Sequence, residues 1–248
     1  MSKDRLKLSP QFYYILNIVH ELSLVMLIAY LSVFLYIPLQ KAYPGEMAQK
    51  LIVLVKIFSG FAIFFTAGVC CCKKYSIDLK MVLFSEKQRP LKIALLSLIS
   101  FSLGIISIHI RATVNGYFQL KGTNYGWHQA AFATEDIFWI MVPIWFIHAI
   151  GEELFFRGFV FNYLKKNYSF SINLILSSLI FSAVHIPHSL SHGLFLFLHS
   201  LFITYTYQHF KLLLYPVLVH ATLNSYAHYA TIQGPDFFKW LMQMIDKF

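Results

Sequence analysis

The sequence predicts an all-α, polytopic integral membrane protein of about seven transmembrane helices, forming one membrane domain over 1–248. Composition and run length carry that prediction. Hydrophobic residues make up 58% of the chain and charged residues only 12%, whereas a soluble domain is about one quarter charged. Apolar runs also recur along the chain, at the length of about 17–25 residues that crosses a hydrocarbon core of about 30 Å. A soluble domain can bury one or two such helices but not a succession of them. The net charge of +9 fits the same picture, because Lys and Arg collect in loops that face anionic lipid. The expected partner of this charge is the bilayer, and no nucleic-acid partner is expected.

Taken in order, the expected spans cover 12–37, 51–72, 91–110, 137–164, 170–186, 190–207 and 212–231. Pro38 is expected to close the first and Pro187 the fifth, since proline lacks the amide proton that continues a helix. Between the second and third spans, 73–92 is the longest hydrophilic stretch and reads as a cytoplasmic loop. Phe237, Leu241, Ile245 and Phe248 recur at helical steps, which predicts an interfacial helix over 237–248. With the N-terminus placed inside, twelve Lys and Arg fall in cytoplasmic segments and six outside, which orients the multi-pass chain with a cytoplasmic N-terminus. The polar start at 1–11 and the length of the run after it predict no cleavable signal peptide. Cys70, Cys71 and Cys72 are consecutive, so they cannot bridge one another in normal disulfide geometry and read as small apolar fillers.

Against this apolar background three charges in "GEELFFRGF" stand out: Glu152, Glu153 and Arg157. Unpaired at mid-bilayer, they would together cost on the order of 8–10 kcal/mol. Glu153 and Arg157 are four residues apart, so a helix lets them pair. Glu152 points away from that pair, toward the face that carries His148 one turn earlier. Later spans bring His185, followed by Pro187, and then His220 and Asn224 on one helical face, with His228 continuing that stripe. A carboxylate with imidazoles is a general-base set that can activate water. An amide donor beside it can stabilise an oxyanion. The same Glu152, His185 and His220 could instead hold a zinc ion with an open position for water. A proton-relay transporter would also use intramembrane Glu and His, but it predicts internal repeats, and the sequence has none.

These residues resemble the motifs of the CPBP family, the CAAX proteases and bacteriocin-processing or immunity enzymes also called the Abi family. Glu152-Glu153-Leu154-Phe155-Phe156-Arg157 resembles its EExxxR motif, Phe181 to His185 its FxxxH motif and His220 to Asn224 its HxxxN motif. The three occur in family order within a core at 137–229. The resemblance implies an intramembrane glutamate-type endopeptidase that cuts a membrane-associated peptide or protein, of the CAAX, bacteriocin-leader or signalling-peptide kind, in a bacterial cell membrane. It implies that Glu152 and His185 activate water, that His220 and Asn224 form the oxyanion hole, and that Glu153 and Arg157 support them. No cofactor is implied, with zinc on Glu152, His185 and His220 as the second reading. A non-catalytic immunity or regulatory protein of the same family is the alternative. One departure concerns the span before the last motif, where the family often has glycines and this chain has Ser200 and Thr204.

Overall fold

A computed structural model describes residues 10–42, 45–83, 135–187 and 190–233, with seven isolated helical positions between 91 and 106. Every regular element among the described residues is helical: α1 (Pro10–Ala42), α2 (Glu46–Lys74), α3 (Leu79–Leu83), α4 (Glu135–Glu153), a π-helical stretch (Leu154–Phe161), α5 (Asn162–Leu164), α6 (Phe170–Val184), α7 (Leu190–Phe210) and α8 (Leu214–Gln233). Most of the expected third span at 91–110 and the expected helix at 237–248 lie outside the described residues.

Among the described residues, three helical runs are long and apolar enough to cross a membrane: Gln11–Ser32, Lys50–Lys74 and Trp139–Leu164. Phe170–Val184 is apolar but shorter. The last two expected spans are helices, α7 and α8, but their polar residues take them out of that set. Ser200, Thr204 and Thr206 are buried in α7, and His220, Ser225 and His228 in α8. Such residues belong inside a bundle rather than against lipid. Lipid-type surface is supplied instead by rows of exposed Leu, Ile, Val and Phe on α1, α2 and α6, such as Leu16, Leu27, Val55, Phe58, Ile172 and Leu179. Patches of that extent on a folded chain mark a membrane or protein contact.

Pro38 does not close α1, which runs through it to Ala42. A proline removes one ladder hydrogen bond and bends a helix, but an apolar helix can continue past it. Pro187 does end its helix. Val184 is the last residue of α6 and His185 is its C-cap, followed by Ile186 at a positive φ of 45°. At the end of α2, the amide of Ile77 reaches back to the Cys72 carbonyl (2.8 Å) and that of Ser76 to Lys73 (3.2 Å). Ser76 itself adopts a left-handed φ of 52°, the backbone pattern that stops helices after basic last turns. The three cysteines are free, Cys70 exposed and its two neighbours buried.

Helix α4 packs against α8 and α2, α6 packs against α7, and the π-helical stretch lies between α2 and α6. Glycines bring α2 and α4 together. A β-carbon on Gly151 would stand 2.8 Å from the Phe61 carbonyl oxygen, and one on Gly68 would meet the Phe155 amide at 3.1 Å. Small residues at a crossing let backbones approach this closely, which draws Glu152 and Glu153 into the centre of the bundle.

Candidate active site

Glu152 and Glu153 occupy the last two positions of α4, immediately before the helix widens into the π-helical stretch. Eight consecutive residues, Leu154 to Phe161, are wound this way and all are buried. Wide turns are rare and often fall at functional sites. They disturb the regular carbonyl pairing of a helix, and asparagine side chains answer it here. The Asn162 amide donates to the carbonyls of Arg157 (2.8 Å) and Gly158 (3.1 Å), and that of Asn173 donates to Phe161 (3.0 Å).

The expected Glu153–Arg157 pair is present. Arg157 Nη1 donates to Glu153 Oε1 at 2.9 Å, with both side chains almost wholly buried. Arg157 Nη2 donates to the Ser200 hydroxyl at 3.0 Å, and the guanidinium lies 4.6 Å above the Phe181 ring. One of the two positions where the family often has glycine therefore carries a hydroxyl that holds this arginine. Glu153 Oε1 also accepts from His220 Nδ1 at 2.7 Å. A single carboxylate oxygen thus links the buried cation to an imidazole from α8.

Glu152 faces the other way. Its Oε1 lies 3.0 Å from His148 Nε2, one turn back on α4. Its Oε2 lies 3.6 Å from His185 Nε2 and 3.7 Å from His220 Nε2. These last two distances exceed hydrogen-bond length, and Oε2 makes no hydrogen bond among the described groups. The rings are oriented by their other nitrogens. His185 Nδ1 contacts the Phe181 carbonyl at 2.8 Å, which can only accept, so this nitrogen carries the proton. His220 Nδ1 is turned to Glu153. Both Nε2 atoms consequently point at the same oxygen of Glu152.

Glu152, His185 and His220, drawn from three helices, therefore meet around one oxygen. Asn224 follows His220 by one turn on α8, half-buried, and among the described residues it makes no hydrogen bond to the carboxylates. Among the described residues no three His, Cys, Asp or Glu groups are placed to hold a metal ion together. No chemical step is assigned to a metal. Sequence reasoning noted the His148 spacing but gave the residue no part, and it missed two others. Ser200 gave no signal beyond being small. His199 is a half-buried ionisable residue on α7, and its ring lies 6.0 Å from that of His220, edge-on.

As a class, the fold and this centre define a helical integral membrane protein with a carboxylate–imidazole cluster inside its bundle. Residues 134–226 match the model of a protein family described as Rce1-like, type II CAAX prenyl endopeptidase Rce1-like. This segment contains all three motifs, and the match agrees with the CAAX-protease family that they resemble. Comparison with curated proteins and with solved structures gives no match.

Proposed function

We propose that this protein is an intramembrane endopeptidase that uses Glu152 to activate water, and that it acts on a membrane-associated peptide or protein. The observation that carries this reading is the convergence of His185 and His220 Nε2 on Glu152 Oε2, at 3.6 and 3.7 Å, inside a segment that matches a CAAX endopeptidase family. With Nδ1 committed to Phe181, the Nε2 of a neutral His185 is an acceptor. Two acceptors at 3.6 Å are both satisfied by one water that donates a proton to each. Glu152 takes one of those protons as the resulting hydroxide attacks the scissile carbonyl, and later returns it to the leaving amine. His185 orients the water.

Negative charge then develops on the carbonyl oxygen. His220 and Asn224 are the donors assigned to it, as preorganised groups of an oxyanion hole. His220 Nδ1 donates to Glu153, so its Nε2 can donate only while the ring carries both protons. Glu153 at 2.7 Å supplies the counter-charge such a ring needs, and Arg157 holds Glu153 in place. The protein is read as multi-pass in a bacterial cell membrane with its N-terminus cytoplasmic. A prenylated C-terminal peptide is the substrate class to test first, because the matched family is described as a prenyl endopeptidase.

The test is cleavage of a prenylated reporter peptide by purified protein. Glu152→Ala, His185→Ala and His220→Ala are each expected to lower turnover by about 10²–10⁴-fold, the range for loss of acid–base or oxyanion groups. Wild-type turnover in all three variants would overturn the reading. A chelator arm is expected to leave the rate unchanged, and loss of activity that added zinc restores would favour the metal alternative.

A further inference from the structure

His148 belongs to none of the three motifs, yet it makes the shortest contact of the Glu152 carboxylate, 3.0 Å from Nε2 to Oε1. Its setting is built. The Trp145 ring stands edge-on to it at 6.1 Å, and Trp145 is itself tied down by its indole N–H, which donates to His228 Nδ1 at 3.3 Å. On the opposite helix, Gly60 presents only backbone. A β-carbon there would stand 3.4 Å from His148 Cε1, so the imidazole lies flush against α2.

A glutamate carboxylate turns about a broad terminal torsion, and base catalysis needs one oxygen held within hydrogen-bond reach of the water it deprotonates. We infer that His148 is a positioning residue for Glu152: its Nε2–H donates to Oε1, fixes the plane of the carboxylate, and leaves Oε2 as the oxygen that faces His185 and His220. The two oxygens then have separate duties, one pinned by the preceding turn of the same helix and one presented to the imidazoles from α6 and α8. This inference rests on the reading of Glu152 as the base.

The variants that test it are His148→Phe, which keeps a ring against Trp145 and Gly60 but removes both nitrogens, and His148→Gln, whose amide can donate to Oε1 from a similar place. In the reporter assay His148→Phe is expected to lower kcat by about 10–100-fold with KM within about twofold, the signature of a displaced reacting group rather than lost substrate binding. His148→Gln is expected to recover kcat to within about fivefold of wild type. Should the phenylalanine variant fail to fold, His148→Leu replaces it with the same expected loss. The inference is overturned if the nitrogen-free variant keeps wild-type kcat, or if the glutamine variant folds normally and is as slow as it. Glu152→Ala is assayed beside them. Full activity there defeats the proposed function itself, whereas an inactive Glu152→Ala with an unimpaired His148→Phe defeats this inference alone.

Discussion

Glu21 in α1 and Glu152 in α4 are both buried in apolar helices, and their partners differ in kind. Around Glu21 the donors come from the end of α2. Lys74 Nζ lies 2.6 Å and the Tyr75 hydroxyl 2.8 Å from Oε1, and Cys71 Sγ lies 3.7 Å from Oε2. Burial and the bond to Glu21 push the Tyr75 phenol up to about 12, so it remains a donor at physiological pH. Both oxygens are answered, and the result ties α1 to α2. Around Glu152 the partners are imidazoles, and Oε2 has only nitrogens beyond bonding distance. A buried acid whose oxygens are all satisfied is an anchor. One with an oxygen presented to ring nitrogens, whose other nitrogens are already engaged, is arranged for chemistry.

Substitutions can break this contrast from either side. The largest effect on stability is expected at Arg157. Arg157→Leu leaves buried Glu153 with the His220 ring alone as its charged partner and should cost about 3–5 kcal/mol, read by unfolding in detergent, with cleavage falling as well because Glu153 is no longer held in place for His220. Gly151→Ala comes next. Its β-carbon would lie 2.8 Å from a backbone oxygen of α2, so the two helices must part, at an overpacking cost of about 1–3 kcal/mol. The residue that follows is Glu152, so kcat should drop in this variant while KM changes little. The mildest is Glu21→Gln, expected to lower the unfolding midpoint through the weakened contact with Lys74 and Tyr75 while kcat stays at the wild-type value. If Glu21→Gln abolished cleavage in folded protein, the division between anchor and centre would fail.

Much of the centre was legible because helical spacing is a strong local rule. Four residues separate Glu153 from Arg157, His148 from Glu152 and Phe181 from His185, and each pair is in contact in the structure. Spacing says nothing, however, about which side chain of another helix completes a pair. The bond from Arg157 to Ser200 and that from Glu153 to His220 are tertiary, and only the motif resemblance suggested that these helices converge. Hydropathy located α7 and α8 as well as the more apolar helices, but it did not show that their polar residues serve a neighbouring helix rather than a lipid face. The continuation of α1 through Pro38 and the wide turns after Glu153 were not legible, because no local propensity encodes them.

Those wide turns join the two regions compared above. The same continuous helix carries Glu152 and Glu153 at one end of the stretch and Phe159 and Tyr163 toward the other, where their rings pack on Tyr75 at 5.4 and 4.5 Å. A helix wound uniformly would lock both ends in one phase, so that any face chosen for the glutamates would dictate the face offered to the anchor. The π-helical stretch is a phase shifter. It lets the acids be aimed at α6 and α8 and the aromatics at α1 and α2 as separate settings, and the side chains of Asn162 and Asn173 hold the shift in place.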